Sequence, residues 1–154
     1  ARYVIDTVKP KRCKFSLEMA QWLVTDTPQN YLRLLKAIDR PMFGAHIDAV
    51  NMVISPRLYF NSGQMIRECF DLLGPWIVSA HAKDIVMQGG PGNVCFHFDE
   101  VEPGKGNLDY RAYVTALDKL GRQVPLMLEH FDVPAYQRGL AHIRKVAAEA
   151  GVEA

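Results

Sequence analysis

The sequence predicts an α/β fold built on a parallel sheet, and three observations predict it. Four short, nearly unbroken apolar runs occur along the chain, and each is followed by a segment with apolar residues at helical spacing. The runs are near-continuous in hydrophobicity rather than alternating, so they read as strands covered on both faces. The regular succession of strand and helix is the pattern of crossover units joined in parallel.

The elements follow in order. The opening residues, from Ala1 through Asp6, read as the tail of a helix leading toward Cys13. The first run, residues 13–18, ends at Glu18. Thr27 and Pro28 then stand as N-cap and first helical position ahead of Tyr31, Leu32, Leu34, Leu35 and Ile38. The second run, 42–48, ends at Asp48 and is followed by an irregular stretch. A helix carrying Ile66, Cys69, Phe70, Leu72 and Leu73 comes next and closes at Gly74. The third run, 76–81, ends at His81. A Gly/Pro-rich stretch over 88–107 separates it from a helix over 110–120, closed by Gly121. The fourth run, 124–129, ends at Glu129, and its helix carries Leu140, Ile143, Val146 and Ala147 before Gly151. The count is four strands and four helices, with no low-complexity tract.

Composition bounds the function. The 154 residues carry 18 Lys+Arg against 17 Asp+Glu, a formal charge of +1, with 49% hydrophobic and 23% charged residues. That balance is globular rather than disordered. No apolar window approaches a membrane span, and the charge gives no general attraction to nucleic acid or anionic lipid. Cys13, Cys69 and Cys95 are odd in number and show no CxxC spacing. They read as reduced, mostly structural thiols in a cytoplasmic protein rather than a disulfide framework.

Each run terminates in a residue able to bind a divalent metal: Glu18, Asp48, His81 and Glu129, separated by 30, 33 and 48 residues. A (β/α)8 barrel spends about 31 residues per unit, and its polar strand ends converge at the mouth where active sites form. The first two separations match one unit, and the stretch at 88–107 accounts for the excess in the third. Singly, a carboxylate at a strand end is usually a helix cap or ion-pair partner, and His46 or His81 alone would read as a structural histidine. Together, three carboxylates and one imidazole form a hard, mixed O/N site suited to Mn2+, Mg2+ or Co2+, and acceptable to Zn2+.

Ser16-Leu-Glu18, His46-Ile-Asp48-Ala-Val-Asn51, His81-Ala-Lys83-Asp84, Pro103-Gly-Lys-Gly106-Asn-Leu-Asp109-Tyr110 and Met127-Leu-Glu129-His130 resemble the successive signatures of the xylose-isomerase-like TIM barrels. The resemblance covers nearly the whole chain and implies that residues 1–154 are the C-terminal half of a (β/α)8 TIM barrel, about four β/α units. It implies one divalent metal ion, usually Mn2+ in the epimerase branch, held by Glu18, Asp48, His81 and Glu129. Glu18 and Glu129 would also be catalytic, exchanging a proton from opposite sides of a substrate carbon. The implied activity is a metal-dependent isomerase or epimerase acting on a sugar, keto-sugar or sugar phosphate. The alternatives are an inosose- or dehydroshikimate-type dehydratase on the same site, and a non-catalytic half-barrel. Two positions depart from the epimerase pattern: Asn51 where those enzymes often have His, and Met87 where some have Arg. The AP endonuclease branch is disfavoured by five histidines and a net charge of +1.

The remaining candidates divide between substrate and structure. Asn51 either binds a substrate hydroxyl or caps the following turn. Lys83 and Asp84 either reach the mouth or pair with each other or a loop. Trp22 forms either an apolar wall against a sugar face or part of the core. His130, one residue beyond Glu129, points to the opposite side and packs. His97 is a ligand only if its loop folds inward. Pro103-Gly-Lys-Gly106 lacks the Walker spacing, so Lys105 is at most a contact to a substrate phosphate. Within the resemblance this segment shapes the rim, and Asp109 caps the next helix. A four-strand half leaves two open edges. The chain is therefore expected to belong to a longer parent, or to associate as a homo-oligomer or with the missing barrel half.

Overall fold

The computed structural model describes residues 1–90 and 95–153, so residues 91–94 of the Gly/Pro-rich stretch lie outside the described part. A helix α1 (Arg2–Val8) precedes strand β1 (Phe15–Glu18), helix α2 (Pro28–Ile38) and strand β2 (Phe43–Asp48). Helices α3 (Pro56–Phe60) and α4 (Ser62–Leu73) lead through a 3-10 turn, Gly74–Trp76, into strand β3 (Ile77–Ala82). Strands β4 (Asp84–Gln88) and β5 (His97–Val101), helix α5 (Tyr110–Asp118), strand β6 (Leu126–Leu128) and helix α6 (Val133–Ala150) complete the chain.

Strands β1, β2, β3 and β6 form one parallel sheet in that spatial order. This is the predicted α/β architecture with the predicted four strands; β1, β2 and β6 are shorter than their apolar runs, and β3 is shifted by one residue. Helices α2, α4, α5 and α6 lie side by side, with α2 against β2 and α6 against β6. Their buried residues and the strands share one hydrophobic core that includes Tyr31, Phe43, Ile66, Leu73, Ile77 and Tyr113. All six residues of β2 are buried, which is why its run is interrupted only by His46 before Asp48. Gly44 is required in β2 by close packing, because a Cβ there would stand 2.6 Å from the side chain of Val78. Among the described residues, no helix is long and apolar enough to cross a membrane.

Helix starts are realised through side-chain caps, predicted at Thr27 and Asp109 and added by the structure at Asp132. Thr27 accepts from Asn30 N at 3.2 Å, Asp109 from Ala112 N at 2.8 Å, and Asp132 from Ala135 N at 2.9 Å. Each satisfies one backbone donor that the first turn leaves free. Gly151 closes α6 at φ 73°, a left-handed conformation natural to glycine.

The structure departs from the sequence reading in two places. The stretch after Asp48, read as irregular, holds α3, and β4 and β5, which overlap the start of the Gly/Pro-rich stretch, pair antiparallel from Asp84↔Val101 to Gln88↔His97 as a two-stranded ribbon beginning two residues past β3. The cysteine reading also divides. Cys69 is a buried packing residue, whereas Cys13 and Cys95 are exposed.

Three tyrosines tie the helices to the strand ends that carry the site. The Tyr31 hydroxyl donates to Leu17 O and accepts from His46 N at 3.1 Å, stitching β1 to β2. Tyr113 and Tyr110, from α5, donate to His81 O and Lys83 O, each at 2.9 Å. Burial holds all three phenols protonated, raising Tyr31 to about 12 and the other two further.

Candidate metal centre

Four successive strands of a parallel sheet end on the same side, so their terminal side chains meet without any long excursion of chain. Glu18 is the last residue of β1, Asp48 the last of β2, His81 lies one before the end of β3, and Glu129 follows β6 directly. One ligand atom from each lies within 4.8 Å of every other. Atoms bound to one ion at about 2.1 Å stand roughly 3 to 4.3 Å apart, so the spacing fits a single divalent cation.

His81 Nδ1 sits at the centre of the group, 3.2 Å from Glu18 Oε1, 3.4 Å from Asp48 Oδ2 and 3.1 Å from Glu129 Oε1. One ring nitrogen cannot supply hydrogen bonds to three carboxylates. Asp48 is fully buried, and its Oδ2 has no hydrogen bond of acceptable geometry although Lys83 Nζ is 2.9 Å away. A buried carboxylate oxygen without a hydrogen bond costs free energy unless a cation meets it. The Lys83 ammonium is such a cation, and the donor set of three carboxylates and one imidazole fits a divalent ion as well.

The charges are unequally tuned. Burial, with the neighbouring charges of Asp48 and Glu129, pushes Glu18 above the usual carboxylate range. Burial alone would raise Asp48 too, but His81 and Lys83 overcome it and hold Asp48 below that range. Burial works against protonated His81, yet the three carboxylates win and raise it. Lys83, similarly desolvated, is raised by Asp48, Glu129 and Glu100 and remains an ammonium.

The other candidates find distinct places. Asn51 donates from Nδ2 to Glu18 Oε1 at 3.2 Å, while its backbone N–H donates to Asp48 Oδ1 at 3.0 Å. It therefore orients two cluster carboxylates. Lys83 reaches the cluster rather than pairing with Asp84: Nζ lies 2.9 Å from Asp48 Oδ2, 2.5 Å from Glu129 Oε1 and 3.2 Å from Glu100 Oε2.

Asp84 corrects the expectation of a substrate contact. It is buried, and its two oxygens accept from Ile85 N, Gly104 N, Gly106 N and Leu108 N at 2.8–3.0 Å. Its carboxylate builds the Pro-Gly-Lys-Gly rim instead of facing the mouth. Trp22 is 70% exposed in the turn after β1, which rules out the core reading and leaves it at the surface. Lys105 is exposed on the rim, and His97 lies 3.5 Å from Asp99 on the ribbon, outside the cluster. His130 does not pack away from the site. Its Nδ1 lies 2.9 Å from Glu100 Oε1 and its Nε2 lies 3.5 Å from Glu129 Oε2.

Two residues at the centre carry more than the sequence suggested. Glu100 reaches it from β5, and only recognition of the ribbon would have placed it there. His46, two residues before Asp48 and therefore on the same face of β2, sets its ring 4.0 Å from that of His81. His46 Nδ1 meets Ser79 Oγ at 2.6 Å, and its buried Nε2 has no partner. Burial and the nearby His81 charge depress its pKa to about 4, so the imidazole is neutral. Glu18, His46 and His81 form a second, overlapping group of metal-donor type.

Comparison with known proteins agrees with this architecture. The sequence profile of the xylose isomerase-like TIM barrel family matches residues 1–146. Among solved structures, the chain is similar to a xylose isomerase-like TIM barrel protein from Mycobacterium smegmatis in complex with magnesium, at a TM-score of 0.71 and 22% identity, covering 97% of this chain and 48% of that one. It is similar to the probable 3-DHS dehydratase AsbF from Bacillus anthracis, at a TM-score of 0.69 and 20% identity, covering 95% of this chain and 53% of that one. It is similar also to a D-tagatose 3-epimerase-like protein, at a TM-score of 0.69 and 16% identity, covering 97% of this chain and 51% of that one. At these identities the likeness is one of fold, and the chain spans about half the length of the structures it matches. No curated protein matches the chain.

Proposed function

The chain belongs to the xylose isomerase-like TIM barrel family, and we propose that it carries the metal-binding and proton-transfer half of a divalent-metal-dependent isomerase or epimerase acting on a carbohydrate. The observation that carries the proposal is the convergence of Glu18, Asp48, His81 and Glu129 around one point, with the two glutamates arriving from the two edge strands. Manganese is the metal we favour from the resemblance to the epimerase branch, and the oxygen-rich set of three carboxylates and one imidazole accepts it as it accepts magnesium.

Glu18, Asp48, His81 and Glu129 would hold the ion, which when bound would supply Lewis acidity to a substrate carbonyl and so acidify the neighbouring C–H. The protein supplies the rest. Glu18, whose proton affinity is raised by burial and by two neighbouring carboxylates, is the carboxylate we assign to take up the substrate proton. Glu129, on the far side of His81, returns a proton to the opposite face. Asp48 and His81 serve as ligands, and Asn51 fixes the carboxylate plane of Glu18 through its amide. Lys83 is buried between carboxylates, and its ammonium offsets their mutual repulsion. We read Asn51 and Lys83 as the residues nearest a substrate hydroxyl, and Trp22 as an outlying surface contact.

A lyase reading has one specific support, the fold likeness to the probable dehydratase AsbF, which equals the likeness to the epimerase-like protein. The same two carboxylates would then remove a proton and protonate a leaving hydroxyl. Strands β1 and β6 each have one unpaired ladder side among the described residues. That supports completion of the barrel wall by further strands, from a second copy or from another barrel half. Three unpaired cysteines, two of them exposed, suit a reducing compartment such as the cytoplasm.

The test is incubation of the Mn2+-loaded chain in D2O with a panel of ketoses, sugar phosphates, inososes and 3-dehydroshikimate, read by NMR. Deuterium at the carbon next to the carbonyl, abolished by Glu129→Gln, supports the isomerase reading. Loss of water supports the lyase, and metal binding with neither change supports the non-catalytic half-barrel.

A further inference from the structure

Glu100, Lys83, Glu129 and His130 close into a ring. Glu100 Oε2 lies 3.2 Å from Lys83 Nζ, which lies 2.5 Å from Glu129 Oε1. Glu129 Oε2 lies 3.5 Å from His130 Nε2, and His130 Nδ1 returns to Glu100 Oε1 at 2.9 Å. Each carboxylate engages both neighbours, one through each of its oxygens, so neither can rotate without breaking two contacts. The ring joins the start of the ribbon, its second strand and the loop after β6.

The backbone at His130 is held in an unusual state to make this possible. Its φ is 68°, a left-handed conformation that is disfavoured for a residue with a Cβ. This turn brings the imidazole beside Glu100 and Glu129 instead of leaving it on the opposite face. Glu129 is thereby fixed in one orientation, with Oε1 turned to His81 at 3.1 Å and Oε2 to His130.

We propose that Glu100 and His130 are positioning residues that act through Glu129, fixing which of its oxygens faces the ion-binding cluster. The inference rests on reading Glu129 as a cluster carboxylate, and it assigns the β4–β5 ribbon a part in the site. Partners that orient a metal ligand commonly change metal affinity by about 10- to 100-fold when removed.

The experiment is isothermal titration of the full chain with Mn2+, in the wild type, Glu100→Gln, Glu129→Gln, the double variant and His130→Gly. Glu100→Gln is expected to raise the Kd for Mn2+ about 10-fold or more, and Glu129→Gln likewise. The double variant is expected to bind much like Glu129→Gln alone, because Glu100 then has nothing to position. His130→Gly relieves the left-handed backbone, so its thermal midpoint is expected to hold or rise while Mn2+ affinity falls. A purely structural histidine would not separate those two readouts. Equal Glu100→Gln effects with and without Glu129, or unchanged Mn2+ affinity in His130→Gly, overturn this inference alone. An unchanged Kd in Glu129→Gln overturns the metal-centre reading as well.

Discussion

Glu18 and Glu129 come from the two outermost strands of the sheet, yet their Oε1 atoms lie 3.2 and 3.1 Å from the same nitrogen of His81. Strands β2 and β3 separate the two edges, so the two glutamates meet across the width of the sheet.

Asn51 is the residue that ties Glu18 to Asp48. Asn51→Ala removes the amide contacts to Glu18 Oε1 and Met19 O but keeps the backbone donor to Asp48. We expect Mn2+ affinity to fall about 10-fold or more, with stability reduced by only about 1 kcal/mol. Titration with Mn2+ beside urea denaturation separates the two effects.

Asp84→Ala strips the acceptor from four backbone N–H groups of the rim. Leaving several such donors unpaired costs on the order of 2–4 kcal/mol. Gly106→Ala is expected to destabilise by the same route, since its Cβ would stand 2.3 Å from Asp84 Oδ1 and 2.4 Å from Ile85 O. Urea unfolding of both variants checks the assignment of Asp84 to structure, which predicts a loss of stability far larger than a surface carboxylate shows.

His46 gives the metal-free protein a defined acid sensitivity. Its folded pKa of about 4 lies below the unfolded value of 6.5, so the unfolded chain takes up the proton first. The stability that neutral His46 allows is complete above pH 6.5 and is lost as the pH falls from there toward 4. The full difference is about 3 kcal/mol, of which roughly 2 is gone by pH 5. His81, raised by its carboxylates, works the other way in both proteins, so the check by denaturant unfolding is the difference: from pH 7 to pH 5 the wild type should lose roughly 2 kcal/mol relative to His46→Gln.

The fold was legible where local pattern and spacing agree. Buried parallel strands read as unbroken apolar runs, and their last residues stood out because Glu18, Asp48, His81 and Glu129 recur near the length of one β/α unit. Thr27 and Asp109 were legible as caps because capping is local chemistry. The β4–β5 ribbon was hidden because its strands are short and partly polar, and glycines and a proline intervene. Glu100 was hidden with it. His130 misled because alternation along a strand applies only within the strand: β6 ends at Leu128, and the left-handed turn at 130 reverses the expected side. Asp84 misled because its partners, Gly104, Gly106 and Leu108, are 20 or more residues away in sequence.

The central claim is that one divalent ion is held by the four strand ends. Equilibrium dialysis against Mn2+, read by elemental mass spectrometry, tests it most directly beside an Asp48→Ala/His81→Ala control. The account predicts about one ion per wild-type chain and none in the control. No bound ion in the wild type at millimolar Mn2+, or equal loading of the control, would contradict it.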